Sequence, residues 1–335
     1  MKRFGRSGKA LGIAAVLMAA LVLVSVQVGS FPLSSNEIWD ILAGGRKGTT
    51  QAQVLWTLRL PRVWMGLLAG GALGLAGGVY QTLFGNPLAS PDLTGVASGA
   101  SLGAACAIVL GAGTSAQIMG GAFLMGMASL VLVLALVRWA GLERTGTYIL
   151  AGVIISSAAD AGLMVLKTVA DPEGELAAIE FWTMGSLAAM TADKVWPAAA
   201  AILIPALLIF LFRQRLLILS MGEESARTMG LAPGLWRSLL LGLTTLMVAA
   251  VVSVAGVVAF VGLIAPHIAF LLLGRRGGPY LPLCALVGGD ILLAADLLAR
   301  SLAGGGELPL SIWTVCFGVP VLLALLVGQR GGRDG

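Results

Sequence analysis

The sequence predicts an all-α, polytopic membrane protein, and three observations support this. Of its 335 residues, 58% are hydrophobic and 11% are charged, whereas soluble domains carry roughly 25% charged residues. Apolar runs that approach the ~20 residues a helix needs to cross a bilayer recur along the whole chain. One of these runs, within residues 59–95, places glycine at every fourth position. Together these features predict one transmembrane domain over residues 1–335, with about ten transmembrane helices.

Ten apolar segments account for this count. They lie near residues 10–28, 61–80, 94–112, 117–137, 148–168, 195–212, 238–258, 262–273, 281–301 and 310–328. The first follows a basic N-terminus and resembles the apolar part of a signal peptide, but no A-x-A cleavage site follows it, so a retained helix is predicted. The eighth is short, which leaves a tilted or a partly re-entrant segment open.

The second span carries the glycine repeat and is predicted to be the central helix. Gly66, Gly70, Gly74 and Gly78 are four residues apart, and each step of four drifts by only about 40° around a helix. The four glycines therefore share one face, where small residues let neighbouring helices pack closely in a bilayer. The span is expected to begin near Pro61.

The distribution of basic residues orients the chain. With ten spans, 14 of the 21 Lys and Arg residues lie on the side of the two termini and 7 lie on the other. Basic residues are enriched in cytoplasmic loops, so both termini are predicted to be cytoplasmic. Outside, the acidic stretch 171–194 is expected to form a short surface helix or an interfacial turn. Inside, the loop 213–237 is expected to form two short helices along the membrane.

Several kinds of site are excluded by the residues present. The chain has no G-x-x-x-x-G-K-[ST] phosphate loop and no H-E-x-x-H pair. His267 is its only histidine, so a multi-histidine metal site is excluded, and its place after Pro266 predicts a structural role. The three cysteines lie in apolar segments without paired spacing, which predicts neither a disulfide nor a metal site. Scattered basic residues and few aromatics argue against nucleic-acid binding.

Ionisable residues inside membrane spans are functional candidates by default. Asp296 precedes Arg300 by four residues, so the two share a helix face and are able to pair. Asp160 and Asp290 have no local partner, and either a wet cavity or polar groups on neighbouring helices would satisfy them. Arg59 and Arg62 lie at the outer end of the second span, where two interpretations stay open: snorkelling to the interface and recognition of carboxylates. Residue chemistry alone does not choose between the two.

Six motifs occur in order over nearly the whole chain. They are RLPR followed by GGALGLAGGVYQTLFGNPLASPDLTGVASGASLG, then WTMGSL, GEESARTMGL, VAFVGLIAPHIAFLLLG, ADLLAR and ELPLSIWTVCFGVP. Together they resemble the permease subunit of ATP-binding-cassette importers for iron–siderophore complexes, haem and vitamin B12. The chain departs from that family locally. Phe270 stands where arginine is frequent, residues 275–278 replace a basic D-H-R, and Gly146 stands where some members carry a polar gate residue.

The resemblance implies an assembly in the cytoplasmic membrane of a prokaryote. Two permease subunits, identical or paralogous, would surround a central pathway. Two ATPase subunits would bind ATP and Mg²⁺ below, and an extracytoplasmic substrate-binding protein would dock above. This chain would bind no cofactor and perform no bond chemistry. The implied site residues are Arg59, Arg62 and Arg300 for docking of the binding protein; Asn86, Leu88, Thr145 and Leu150 for the cytoplasmic gate; and Gly222, Glu223, Glu224, Arg227 and Gly230 for coupling to the ATPase.

An iron–siderophore-type chelate is the expected cargo, because it is the commonest role in the family. Haem or cobalamin carried by the same machinery stays open. A more distant alternative is an ion-coupled secondary transporter, with Asp160 and Asp290 as its coupling carboxylates. An intramembrane enzyme finds no nucleophile–base or metal constellation in the sequence.

Overall fold

The computed structural model describes residues 2–29, 31–111, 114–141, 145–302 and 306–330, and leaves the side chains of residues 2–6, 145 and 325–330 outside the description. Within these ranges the chain is helical and contains no β-strand, as the sequence predicts. The α-helices are α1 (Lys2–Gln27), α2 (Ser35–Leu42), α3 (Thr50–Val54), α4 (Leu60–Leu83), α5 (Val96–Val109), α6 (Ser115–Trp139), α7 (Thr145–Val169), α8 (Glu175–Thr183), α9 (Ala192–Leu211), α10 (Arg213–Leu219), α11 (Glu223–Thr228), α12 (Pro233–Ala255), α13 (Val261–Leu273), α14 (Tyr280–Ser301) and α15 (Leu310–Arg330).

Each of the ten predicted apolar segments is helical in the structure. Seven helices of the described chain are long and apolar enough to cross a membrane. Three more are apolar but only 10–17 residues long, namely Val96–Val109, Val261–Leu273 and Leu310–Ala324. These three coincide with the third, eighth and tenth predicted spans. The short eighth segment is therefore confirmed as α13.

α4 is the central helix, and 18 of its 24 residues are buried. Its glycine face packs against α14 without room for side chains. A Cβ added at Gly74 would overlap the Cys284 carbonyl and lie 3.2 Å from the Cα of Gly288, and one at Gly78 would lie 2.9 Å from Sγ of Cys284. Gly70 lies against the Gly288 carbonyl in the same way. The predicted close packing through the glycine face is confirmed.

The predicted start of this span near Pro61 agrees with the start of α4 at Leu60, but helical turns also precede it. With these turns the continuous helix runs from Thr50 to Leu83, a length of 34 residues. A π-helical turn at Leu55–Arg59 joins α3 to α4 directly before Pro61. Proline lacks an N–H and crowds the preceding turn, and the wider i→i+5 spacing of a π turn carries the helix past it.

The polar connections contain the short helices that the sequence predicts. α8 lies within the acidic stretch 171–194, and α10 and α11 lie within the loop 213–237. Glycines with positive φ bound α11, Gly222 at 103° and Gly230 at 77°. The Leu231 N–H donates to the Ala226 carbonyl at 3.0 Å, which is the hydrogen bond of a Schellman cap.

α2 is a helix that was not among the elements predicted from the sequence. The sequence does carry its signal, because Ser34 and Glu37 form a reciprocal capping box at its start. The hydrogen bonds that the Ser34 N–H and hydroxyl donate, together with Arg46, hold the pKa of Glu37 below its usual value. Arg46 also pairs with Asp40 at 2.9 Å, which closes the loop that follows the helix.

Candidate functional site

At one end of the bundle, Arg62 lies in a buried ionic network. Its side chain is 11% exposed. Its Nε and Nη2 contact Oδ1 of Asp296 at 2.9 and 2.8 Å. Its Nη1 and Nη2 donate to the two oxygens of Glu307 at 2.6 and 2.8 Å. The second contact is a bidentate arginine–carboxylate pair, the geometry in which such pairs are strongest.

Arg300 completes this network on α14. The predicted pair with Asp296 is confirmed, at 3.4 Å between Nε and Oδ2. Nη1 of Arg300 donates to the Val28 carbonyl at 2.8 Å, just beyond the end of α1. Nη2 is buried and has no hydrogen-bond acceptor among the described residues. The cluster therefore contains an arginine whose donors are only partly satisfied.

The Arg59 side chain is buried and donates its hydrogen bonds to backbone carbonyls, whereas docking would require it to be exposed. It is 5% exposed, and Nη1 donates to the carbonyls of Val26 and Gln27 at 2.7 and 2.9 Å. Nη2 donates to the Phe31 carbonyl. In this structure Arg59 satisfies the carbonyls at the end of α1, as basic residues do at helix C-termini. Its role in docking stays a prediction.

At the opposite end, the predicted coupling helix α11 is fixed by an ion pair with α12. Oε1 of Glu223 accepts a hydrogen bond from Nη1 of Arg237 at 2.8 Å, and the Arg237 side chain is 5% exposed. The Arg237 guanidinium also lies over the Tyr148 ring, 5.6 Å from its centroid. The Glu223 side chain is thus held against α12 while 38% of it stays exposed. The outward surface of α11 and its flanks is formed by Met221, Glu224, Arg227 and Met229.

The predicted gate residues lie on two segments that the structure brings together. Oδ1 of Asn86 accepts from the Leu88 N–H at 2.9 Å, which forms a tight turn after α4. Leu88 is 60% exposed, and Leu150 on α7 is 62% exposed. Thr145 begins α7, and its side chain lies outside the described part of the chain.

Glycine allows the two gate segments to meet. A Cβ added at Gly152 of α7 would overlap the Leu93 carbonyl, so the loop after α4 lies directly on α7. This contact joins the region around Leu88 to the region around Leu150 while both leucines stay exposed.

A series of side-chain contacts leads from α11 to this gate region. The Tyr148 ring, which lies under Arg237, is 6.3 Å from the Phe84 ring, and Phe84 is 5.7 Å from the Tyr80 ring. The Tyr80 hydroxyl is 3.0 Å from the Thr94 hydroxyl in the loop. Prediction from the sequence missed Arg237, Tyr148 and Glu307, since their partners are distant in the chain.

The three intramembrane carboxylates have different surroundings. Asp296 is buried in the arginine network, whereas Asp160 is exposed on α7. Asp290 is 6% exposed, and its Oδ1 has no partner among the described residues. It lines an otherwise apolar groove of about 400 Å³ between α1, α13, α14 and α15. No cluster of potential metal ligands occurs in the described part of the chain.

The chain is similar to known proteins over most of its length. Residues 17–328 match the FecCD transport family. The chain is 33% identical over 334 residues to the hemin transport system permease protein HmuU of Yersinia pestis, covering 97% of each chain. It is 36% identical over 320 residues to the vitamin B12 import system permease protein BtuC of Escherichia coli O127:H6, covering 95% of this chain and 94% of that one.

Two solved structures resemble the fold. A metal-chelate type ABC transporter in an inward-facing conformation matches with a TM-score of 0.86 and 31% identity, over 96% of this chain and 99% of that one. PsaBC from Streptococcus pneumoniae in complex with Fab matches with a TM-score of 0.55 and 21% identity, over 86% of this chain and 94% of that one. The second likeness concerns the fold alone.

Proposed function

Because the chain belongs to the FecCD transport family, we propose that it is the membrane-spanning permease subunit of an ATP-binding-cassette importer for an iron–siderophore-type chelate. The observation that carries this proposal is full-length similarity to permeases. The hemin permease is matched over 97% of its length, and the metal-chelate transporter is matched with a TM-score of 0.86. Because two of the relatives are named as permeases for hemin and vitamin B12, haem or cobalamin carried by the same machinery is the second candidate for the cargo.

The proposed assembly contains two permease subunits, two ATPases that bind ATP and Mg²⁺, and an extracytoplasmic binding protein. It lies in the cytoplasmic membrane of a prokaryote, with ten crossings and cytoplasmic termini. The exposed apolar face of α7 supports the second permease subunit, because such surfaces mark interaction sites. The outward residues of α11 support an ATPase contact. ATP binding would move α11 and switch the pathway between its two open states.

Uptake by the reconstituted complex tests the cargo. Proteoliposomes that contain the permease, its ATPase and its binding protein are expected to accumulate a ⁵⁵Fe–siderophore complex only when ATP is enclosed with the ATPase. Haem and cobalamin serve as the comparison cargoes in the same vesicles. Accumulation of haem or cobalamin in place of the iron chelate would assign the cargo to the second candidate.

Replacement of Arg62 by lysine is expected to weaken docking of the binding protein about tenfold, because lysine keeps the charge but loses the bidentate geometry. Binding to the permease in nanodiscs measures this effect. Arg46→Lys is the matched control, since Arg46 also forms two ion pairs, but with Glu37 and Asp40 instead of residues of the network, and its side chain is 41% exposed. Unchanged binding of the Arg62→Lys variant at low salt, where charge interactions are strongest, would remove Arg62 from the docking surface.

Replacement of Asp290 by asparagine is expected to leave ATP-driven uptake unchanged. Asp290 lines a groove between α1, α13, α14 and α15, away from the exposed face of α7 that carries Leu150. The ion-coupled alternative requires the opposite result, because a coupling carboxylate is essential to transport. Uptake by the Asp290→Asn variant, with and without ATP and under an imposed pH gradient, separates the two functions.

A further inference from the structure

The ionic network of Arg62, Arg300, Asp296 and Glu307, called the arginine cluster below, includes one carboxylate that reaches the surface. Glu307 lies in the connection between α14 and α15, which a hydrogen bond from the Leu308 N–H to the Ala299 carbonyl, 3.1 Å long, holds against α14. The Glu307 side chain is 30% exposed, whereas Arg62 beneath it is 11% exposed. Glu307 therefore covers the guanidinium edge of Arg62 that would otherwise face outward.

The two carboxylates of the cluster differ in how firmly they are held. Asp296 is 1% exposed and contacts both Arg62 and Arg300, so no group from outside is able to replace it. Among the described residues, Glu307 forms an ion pair with Arg62 alone, and it reaches the surface. Of the two, only Glu307 is placed to exchange.

The charges of the cluster favour such an exchange. Arg300 interacts with the charges of Arg59, Arg62, Asp296 and Glu307, so among the described residues three cations meet two anions. Nη2 of Arg300 is also buried without an acceptor among the described residues. An incoming carboxylate would take over the ion pair with Arg62 from Glu307, and it would also approach a donor that has no acceptor. Since charge pairs across interfaces steer association, the cluster selects an acidic partner surface.

We propose that Glu307 occupies, in the undocked permease, the position on Arg62 that a carboxylate of the binding protein takes on docking. This inference rests on the proposed docking function. Docking is then an exchange of one carboxylate for another, and the partner must present Asp or Glu at this point. The geometry also makes Glu307 a competitor that lowers the affinity of the complex.

Replacement of Glu307 by glutamine removes the competing charge and keeps the size of the side chain. The probe is the purified extracytoplasmic binding protein that stimulates ATP hydrolysis by the reconstituted complex. Its affinity for the Glu307→Gln permease in nanodiscs is expected to rise about fivefold, mainly through faster association. Glu180→Gln is the matched control, because Glu180 is ion-paired to Lys167 at 2.9 Å outside this cluster. The affinity of the Glu180→Gln permease for the binding protein is expected to equal that of the wild type.

A second measurement does not depend on the partner. Modification of Arg62 by phenylglyoxal, followed by mass spectrometry of the intact folded permease, is expected to be at least about threefold faster in Glu307→Gln than in the wild type, because the guanidinium edge is less firmly held. Glu307→Asp keeps the charge on a shorter side chain. The affinity of this variant permease for the binding protein is expected to lie between those of the wild type and of Glu307→Gln.

The outcomes separate the inference from the proposed function. Unchanged or weaker binding by Glu307→Gln, together with weaker binding by Arg62→Lys, would overturn the exchange and leave docking at Arg62 intact. Unchanged binding by both variants would overturn docking itself. An unchanged rate of Arg62 modification in Glu307→Gln would also overturn the inference, because Glu307 would then not cover Arg62.

Discussion

Reversing the charge of Glu223 is expected to lower ATP-driven uptake about tenfold or more while the ATPase subunits continue to hydrolyse ATP. The reason lies in its partner, because Arg237 is 5% exposed and pairs with Glu223 at 2.8 Å. The Glu223→Arg variant places two cations side by side and removes the carboxylate that pairs with Arg237. A second cation beside the buried Arg237 guanidinium is repelled by it, so α11 is expected to separate from α12.

The effect should reach the gate because Arg237 also lies over Tyr148 at 5.6 Å, and Tyr148 contacts Phe84 two residues before Asn86. Uptake and ATP hydrolysis are measured on the same proteoliposomes. Glu173→Arg, a charge reversal in the exposed acidic stretch before α8, is the control and should transport normally. The double variant Glu223→Arg with Arg237→Glu restores an ion pair and should recover part of the uptake. Wild-type uptake per ATP in Glu223→Arg alone would show that this pair does not transmit movement.

Replacement of Gly74 by leucine is expected to prevent assembly of a stable permease. Even the Cβ of an alanine would overlap the Cys284 carbonyl and approach the Cα of Gly288, and both are backbone atoms that side-chain rotation cannot move. Overpacking by a few atoms already costs typically about 1–3 kcal/mol, and leucine adds three more carbons. The variant should yield no monodisperse peak in size-exclusion chromatography after detergent extraction.

Two single alanine variants test the same packing with a smaller added side chain. Gly74→Ala should lower the thermal midpoint of the purified protein. Gly71→Ala on the same helix meets its nearest atom, the Ala285 carbonyl oxygen, at 3.5 Å, which is ordinary contact. Because alanine is the better helix former by about 1 kcal/mol, Gly71→Ala should keep or raise the midpoint. Equal midpoints for the two variants would contradict the close packing of α4 on α14.

The parts of the fold that depend on local pattern were predictable from the sequence. Apolar run length located all ten apolar helices, the spacing of the glycines located the face of α4 that packs on α14, and the four-residue spacing located the Asp296–Arg300 pair. The helical turns that precede Pro61 were not predicted, because proline normally marks a helix boundary and the π turn before it gives no clear signal in the sequence.

The site was less predictable, because its contacts join residues that are far apart in the chain. Arg62 and Glu307 are separated by 245 residues, and no periodicity relates them. Glu223 looked like a surface residue of a short helix, since its partner Arg237 belongs to the next long helix. Burial decides such roles, and burial of a charged residue depends on tertiary packing that local sequence does not encode.

The uneven burial of the helices has a consequence for where the subunit tolerates mutation. In the most apolar window of Thr50–Leu83, 78% of residues are buried, whereas in that of Gly146–Val169 only 17% are. Substitutions at exposed positions usually change stability by no more than about 0.5 kcal/mol. Substitutions at Val153, Ser157 and Met164 on α7 should therefore disturb the fold of the subunit itself less often than substitutions along α4, and their effect should fall on the contact proposed with the second permease subunit.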